Sequence, residues 1–131
     1  MKATILSIPV RDQQQALAFY TEKLGFIKKK DIPLGGGNRW LTLVSPEAPE
    51  GPELLLEPSP LHFEPAKVFQ EALSQAGMPW TQFEVQDVDR EYERLTALGV
   101  EFSVKPTKYE DIKYAVFNDT CGNFIQINES L

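Results

Sequence analysis

The chain contains one internal repeat, and this repeat limits the folds open to it more than any other feature. Matched residues stand 75 or 74 positions apart in the two copies: Val10 and Val85, Asp12 and Asp87, Leu24-Gly25 and Leu98-Gly99. Neither copy is long enough to bury a sheet well by itself. We therefore expect two similar units with curved sheets, each covered by helices on its outer face and held against the other unit or a partner chain.

The first copy has the order strand, helix, strand, strand, strand. Residues 3–10 alternate with the period of two that is typical of a half-buried strand. Asp12 can cap a helix whose apolar residues recur at helical spacing from Ala16 to Leu24, and Gly25 can end it. The pattern predicts further strands at residues 26–30, 39–44 and 53–57, with a flexible glycine turn at residues 34–38.

The same order follows after a proline-rich link, residues 58–65, and a helix that Pro65 can begin and Gly77 can end. A strand alternates from Trp80 onward, and Asp87 is again placed to cap a helix that Gly99 ends. Three more strands are predicted at residues 101–104, 112–117 and 123–128, with turns at Pro106 and at residues 119–122.

Composition excludes several classes of protein. The chain has 131 residues with 19 acidic and 13 basic side chains, a net charge of −6, and this balance argues against nucleic-acid binding. No apolar run approaches the ~20 residues of a membrane span, which argues against a membrane protein. The single cysteine, Cys121, excludes an internal disulfide and is expected to be a packed turn thiol. With no targeting segment evident, we expect the protein in the cytoplasm.

Beyond these patterns, the sequence resembles the vicinal oxygen chelate superfamily of glyoxalases, bleomycin-resistance proteins and extradiol dioxygenases. The match runs in order through Val10-x-Asp12, Ala16-x-Ala18-Phe19-Tyr20-x-x-Lys23-Leu24-Gly25-Phe26, Arg39-Trp40-Leu41, Asp87-Val88, Leu98-Gly99-Val100-Glu101-Phe102 and Asp119-x-x-Gly122-Asn123. It covers nearly the whole chain and is specific for the fold rather than for the reaction.

This resemblance implies an α+β fold of two tandem βαβββ modules, with cupped mixed sheets around a cavity and helices outside. We expect residues 1–131 to form a single domain. Its parts would be a first module at residues 3–57, a linker with a helix at residues 58–78 and a second module at residues 79–131. The resemblance also implies a homodimer.

The resemblance further implies a metal site, from which this sequence departs. Catalytic members bind a divalent ion through His and Glu side chains at positions that correspond here to Ile5, Leu55, Trp80 and Gln126. A displaced, oxygen-rich site could be offered by Glu53, Glu57, Gln82 and Asn128. The one histidine, His62, lies in the link and cannot form a multi-histidine centre within one chain. We therefore predict no metal ligands and no cofactor, with a displaced divalent metal as the alternative.

The cavity face suggests where a ligand binds. By strand parity, six residues are predicted to face it as ligand-binding residues: Ser7, Glu57, Trp80, Gln82, Glu84 and Gln126. Phe83 and Ile127 on the other parity are apolar, so the polar residues need water or a ligand. An open, solvated sheet face would carry the same residues, and Trp80 could equally be a stacking surface or core packing. Glu84 is the candidate catalytic base, because partial burial would raise the pKa of its carboxyl.

Two functions follow from these features. The first is a protein of the bleomycin-resistance kind, which binds a small molecule in a polar and aromatic cavity without a metal. The alternative is a metal-dependent lyase, isomerase or dioxygenase with a displaced or partner-supplied metal site. An interaction module without small-molecule chemistry would instead have a dry interior. The sequence leaves open whether the protein is an enzyme and which ligand it takes.

Overall fold

Each copy of the repeat folds into one four-stranded mixed sheet with a helix packed on it, in a computed structural model that describes residues 1–59 and 63–131. The chain forms two units, residues 1–69 and residues 70–131. The α+β class and the two βαβββ modules predicted from the sequence are confirmed, and neither sheet closes into a barrel. His62 lies outside the described residues. In the part of the chain that is described, no helix has the length and apolar character needed to cross a membrane.

The first unit begins with the parallel pairing of its first and last strands. Its elements are β1 (Ile5–Val10), α1 (Gln13–Ala18), a π-helical turn (Phe19–Lys23), β2 (Ile27–Gly35), β3 (Asn38–Val44) and β4 (Glu53–Pro58). The strand order is β1-β4-β3-β2, with β1 parallel to β4 and the other neighbours antiparallel. The helix between β1 and β2 allows β1 to lie beside β4, because parallel neighbours need a long connection.

The second unit repeats this arrangement strand for strand. Helix α2 (Glu64–Gln75) lies before the first strand of this unit along the chain. The elements that follow are β5 (Pro79–Glu84), α3 (Val88–Ala97), β6 (Phe102–Tyr109), β7 (Ile112–Asn118) and β8 (Phe124–Ser130). The order is β5-β8-β7-β6, with β5 parallel to β8. The first and last strands of the module are therefore neighbours again.

The repeated residues perform the same local task in both units. Asp12 and Asp87 each cap a helix through a carboxylate oxygen that accepts from a backbone N–H three residues on, at 2.8 and 2.9 Å. Gly25 and Gly99 follow the helices with φ of +85° and +86°, in the left-handed region that side chains disfavour. The predicted starts and ends of both helices are confirmed.

Two edge strands are longer than predicted. Strand β2 continues to Gly35 through Pro33, and the predicted turn at Pro106 is wrong because β6 runs through it to Tyr109. Both prolines lie on edge strands, where a missing N–H costs no ladder bond, and the pairing register shifts beside each of them.

Buried polar groups fix the turn before β8. Asp119 is fully buried, and its Oδ1 accepts from the backbone N–H groups of Cys121 and Asn123 at 2.7 and 2.9 Å. The Gln70 amide of α2 donates to the Cys121 carbonyl at 3.2 Å. Cys121 itself is buried, as a packed turn thiol should be.

In the first unit, a buried glutamine, Gln13, joins the helix to the sheet by hydrogen bonds. The Gln13 Nε2 atom donates to the carbonyls of Arg39 and Leu56, both at 2.7 Å, and Gln13 Oε1 accepts from the Arg39 N–H at 3.0 Å. The side chain of Gln13 thus joins α1 to β3 and β4 with its hydrogen-bonding capacity well used. Sequence patterning had assigned no role to this residue.

We predict that Gln13→Leu lowers the free energy of unfolding by about 2–3 kcal/mol, because it leaves buried backbone groups without partners. The neighbouring Gln14→Leu is the matched control and should change stability by less than ~0.5 kcal/mol, since Gln14 is exposed and the hydrogen bond that it accepts from Arg39 Nη1 lies at the surface. Urea unfolding followed by circular dichroism measures both. Equal losses in the two variants would contradict the role assigned to Gln13.

Candidate ligand-binding site

Each sheet has a helix face and a far face, which lies opposite the unit's own helix. In the second unit the Tyr92 ring of α3 packs on Phe102 at a centroid distance of 4.7 Å, and Phe102 packs on its register partner Phe117 at 5.6 Å. The helix face of β8 is marked by Ile125 and Ile127, both buried. The residues that alternate with these along the strands form the far face.

Charged residues on the helix face are used to attach α3. A Glu129 carboxylate oxygen accepts from the Val88 N–H at the start of α3, and Lys113 forms an ion pair with Asp89 in its first turn. The hydrogen bond to Asp89 is the main reason that the pKa of Lys113 lies above its ordinary value. These contacts give Glu129 and Lys113 a structural role on the helix face. The polar residues of the far face must be explained separately.

The far face of the second sheet carries a row of amides. Gln82 and Gln126 are register partners on β5 and β8, and the Gln126 Nε2 atom donates to Gln82 Oε1 at 3.2 Å. The next register pair on the same face is Glu84 and Asn128. Trp80 is half-buried at a register shift just before Gln82. The parallel pairing of β5 with β8 thus forms two adjacent rows on the far face, one of Gln82 and Gln126 and one of Glu84 and Asn128.

Asn128 differs from its neighbours because its Oδ1 atom is buried and has no hydrogen-bond partner. It lies between Glu84 on β5 and Tyr114 on β7, its register partners on either side. An unsatisfied buried acceptor costs ~1–3 kcal/mol, so such groups are uncommon without a functional reason. The only other such atom in the described chain is Asn38 Oδ1, beside the glycine turn of the first unit.

The far face of the first sheet pairs hydroxyls with carboxylates. Ser7 Oγ donates to Glu57 Oε1 at 2.6 Å, so two of the predicted ligand-binding residues are in direct contact. Thr42 Oγ1 donates to Glu53 Oε1 at 2.7 Å, and Lys29 Nζ lies 3.6 Å from Glu53 Oε2. The Thr42 hydrogen bond, followed by the charges of nearby lysines, holds the pKa of Glu53 below its ordinary value.

Glu84 is exposed, so the partial burial that made it the candidate base is not found. Its role as a catalytic group stays a prediction. Sequence reasoning placed Asn128 on the same face as Gln82 and Gln126 and considered it only for a displaced metal site, and it gave Tyr114 no role. The unsatisfied Asn128 Oδ1 atom and the pairing of β7 with β8 are properties of the fold, and neither could be predicted from the residue pattern.

The four positions that the resemblance assigns to metal ligands do not fit a metal. Ile5 and Leu55 are aliphatic, and the indole of Trp80 offers an N–H donor but no lone pair. Gln126 offers one amide oxygen, which is a poor substitute for the carboxylate of the family site. Across residues 1–59 and 63–131, no group of three or more His, Cys, Asp or Glu side chains is placed to hold an ion. No step of the function proposed below passes through a metal.

Comparison with known proteins identifies the family. The profile of the Glyoxalase/Bleomycin resistance protein/Dioxygenase superfamily matches residues 3–127. The chain belongs to this superfamily, and the resemblance seen in its sequence is confirmed.

Individual relatives share both the sequence and the fold. The chain is 53% identical to the uncharacterized protein YurT of Bacillus subtilis (strain 168) over 127 residues, which is 97% of this chain and 98% of YurT. The crystal structure of UcmS2 matches with a TM-score of 0.82 at 34% identity, covering 98% of this chain and 97% of UcmS2. TnmS3, an antibiotic binding protein from Streptomyces sp. CB03234, matches with a TM-score of 0.74 at 27% identity, covering 100% and 97%.

We predict that Thr42→Val raises the pKa of Glu53 toward its ordinary value of 4.5, because the substitution removes the hydroxyl donor and keeps the shape. Because the folded-state pKa is depressed, the carboxylate stabilises the fold above its unfolded-state pKa, and this is lost as pH falls through the folded-state value. NMR titration of the Glu53 side-chain carboxyl measures the shift. An unchanged midpoint in the variant would show that Thr42 is not the main cause.

We also predict that the purified, chelator-treated protein binds zinc, nickel, manganese or iron(II) ions neither tightly nor near stoichiometrically, because Ile5, Leu55 and Trp80 lack ligating atoms and a single amide oxygen at Gln126 is a weak ligand. Isothermal titration calorimetry with each ion is the measurement. One tightly bound ion per chain would contradict the conclusion that these positions do not fit a metal.

Proposed function

We propose that the protein binds a small organic molecule on the far face of the second sheet and needs no metal ion to do so. The observation that carries the proposal is the Gln82–Gln126 amide pair, which lies on the sheet face opposite α3 rather than in a hydrophobic core. Support also comes from TnmS3, the structural neighbour described as an antibiotic binding protein.

The amide pair is suited to recognising a polar ligand. One hydrogen of Gln126 Nε2 is used in the bond to Gln82 Oε1. The chemistry of two carboxamides leaves the Gln82 NH₂ group as a donor and Gln126 Oε1 as an acceptor. The internal bond holds both amides in one orientation, which reduces the entropy lost when a ligand binds.

Further contact residues are proposed for each sheet on its own. The half-buried Trp80 offers a ring on which a flat part of the ligand can stack, and the exposed Glu84 adds an acidic group. Ser7 and Glu57, already bonded to each other, are the proposed contact residues on the far face of the first sheet. We further propose that the protein is a homodimer that acts in the cytoplasm, and light scattering of the purified protein tests the dimer.

The alternative considered from the sequence is a metal-dependent lyase, isomerase or dioxygenase, and such an enzyme requires a metal ion. Such an enzyme loses ligand turnover when a chelator is added and regains it with one particular ion. Binding as proposed here persists in chelator, so one set of experiments separates the two functions.

We predict that a panel of structurally unrelated antibiotics, including bleomycin, contains compounds that raise the thermal midpoint of the protein in the presence of EDTA. Stabilisation follows RT ln(1 + [L]/Kd) and reaches ~2.7 kcal/mol at a hundredfold excess over Kd. Gln82→Leu should weaken binding by about tenfold, since it removes one hydrogen-bonding amide from the surface.

Gln86→Leu is the matched control, because Gln86 is also exposed but lies just beyond the end of β5. It should leave the affinity unchanged. The proposal fails if no compound raises the midpoint in EDTA, if stabilisation requires an added ion, or if Gln82→Leu and Gln86→Leu bind every compound equally well.

A further inference from the structure

Two hydrogen-bond acceptors belong to register partners on the far face of the second sheet. Asn128 Oδ1 is buried and accepts no hydrogen bond. Glu84, its register partner on β5, is exposed, and within the described residues its carboxylate forms no ion pair or hydrogen bond. The Glu84 carboxylate and Asn128 Oδ1 are both acceptors, and the two oxygens cannot hydrogen-bond to each other because neither carries a hydrogen.

We propose that this pair binds the protonated amine of a small-molecule ligand, with one ammonium N–H donated to the Glu84 carboxylate and another to Asn128 Oδ1. The inference rests on the function proposed above and adds the chemical class of the ligand. An ammonium group supplies up to three donors and no acceptor, which is what two neighbouring acceptors require. Its positive charge also strengthens both hydrogen bonds.

A neutral hydroxyl or amide ligand fits these groups less well. Either could donate to Asn128, but it would leave the carboxylate of Glu84 without a counter-charge. The chain as a whole carries a net charge of −6, which favours approach of a cation over approach of an anion. An amine is therefore the ligand group that uses every feature of the pair.

The surroundings of the pair suit a cation attached to an apolar body. Tyr114 is the register partner of Asn128 on its other side, so an aromatic residue is its neighbour on β7. Aromatic rings attract ammonium groups through their faces. Glu84 is exposed and open to a ligand from solvent, and the proposed binding requires the Asn128 side chain to turn so that its buried Oδ1 reaches the same ammonium group.

The test compares tryptamine with tryptophol, in which a hydroxyl replaces the ammonium on the same indole framework. Binding to the intact protein is measured by NMR titration of backbone amides in EDTA. We expect tryptamine to bind at least about tenfold more tightly than tryptophol and its affinity to fall as salt is raised, because one charge pair is involved.

Two variants and one control assign the effect to the pair. Glu84→Gln and Asn128→Leu should each weaken tryptamine binding by about tenfold and leave tryptophol binding within about twofold. Glu93→Gln on α3 changes the net charge equally, at an exposed position away from the far face, and should change neither affinity. The thermal midpoint of ligand-free Asn128→Leu should stay equal or rise, because the substitution removes an unsatisfied acceptor.

The inference is overturned if tryptophol binds as tightly as tryptamine, or if tryptamine fails to bind while other compounds occupy the far face. It is also overturned if Glu84→Gln acts no more strongly than Glu93→Gln. A lower midpoint for Asn128→Leu would show that the amide is already satisfied in the free protein and would overturn it as well. In all these cases binding of other compounds at Gln82 and Gln126 can still stand, whereas the absence of any binding in EDTA contradicts the proposed function itself.

Discussion

The parallel pairing of the first and last strands in each module is the constraint on which the rest of the structure depends. A helix separates the first strand from the other three, and this long connection allows the chain to return beside its own beginning. Residues some 44 to 50 positions apart consequently become neighbours: Ser7 with Glu57, and Gln82 with Gln126. The Gln82–Gln126 and Glu84–Asn128 pairs proposed to contact the ligand both follow from this pairing.

Strand alternation then divides the chemistry between two faces. Ile125 and Ile127 are buried on the helix face, where packing against α3 stabilises the unit, and Gln126 and Asn128 alternate with them on the far face. A one-residue slip of β8 would exchange these sets and place amides in the core. The register that stabilises the unit is therefore the same register that builds the candidate site.

The two modules have the same fold but carry different residues on their far faces. The first sheet presents hydroxyl–carboxylate pairs on either side of Leu55, and the second presents amides with one free carboxylate. Neither face retains the imidazoles with which catalytic members of the superfamily hold an ion. Since one fold hosts many functions, the family assignment alone does not decide between binding and catalysis, and the residues of each face must do so.

Much of this fold could be predicted from the sequence because its signals are local. Asp12 and Asp87 at helix starts, and Gly25 and Gly99 after helix ends, act through their nearest neighbours. The turn predicted at Pro106 was wrong, because a strand tolerates a proline when it lies at the edge of a sheet, and edge position is a property of the whole sheet.

The candidate site was predictable only in part, for a related reason. Strand parity placed Gln82 and Gln126 on one face, but their hydrogen bond depends on the register between strands. The unsatisfied oxygen of Asn128 and the position of Tyr114 depend on three strands at once. Gln13 was missed because a buried amide with every partner inside the fold has no sequence signature.

The most direct measurement of the central claim, that the far face of the second sheet holds the ligand, is NMR of the side-chain amide groups, recorded with bleomycin and with tryptamine in turn. The account predicts that the NH₂ resonances of Gln82, Gln126 and Asn128 move on binding, while those of the buried structural amides Gln13 and Gln70 stay in place. Binding that leaves the three far-face resonances unmoved would contradict it.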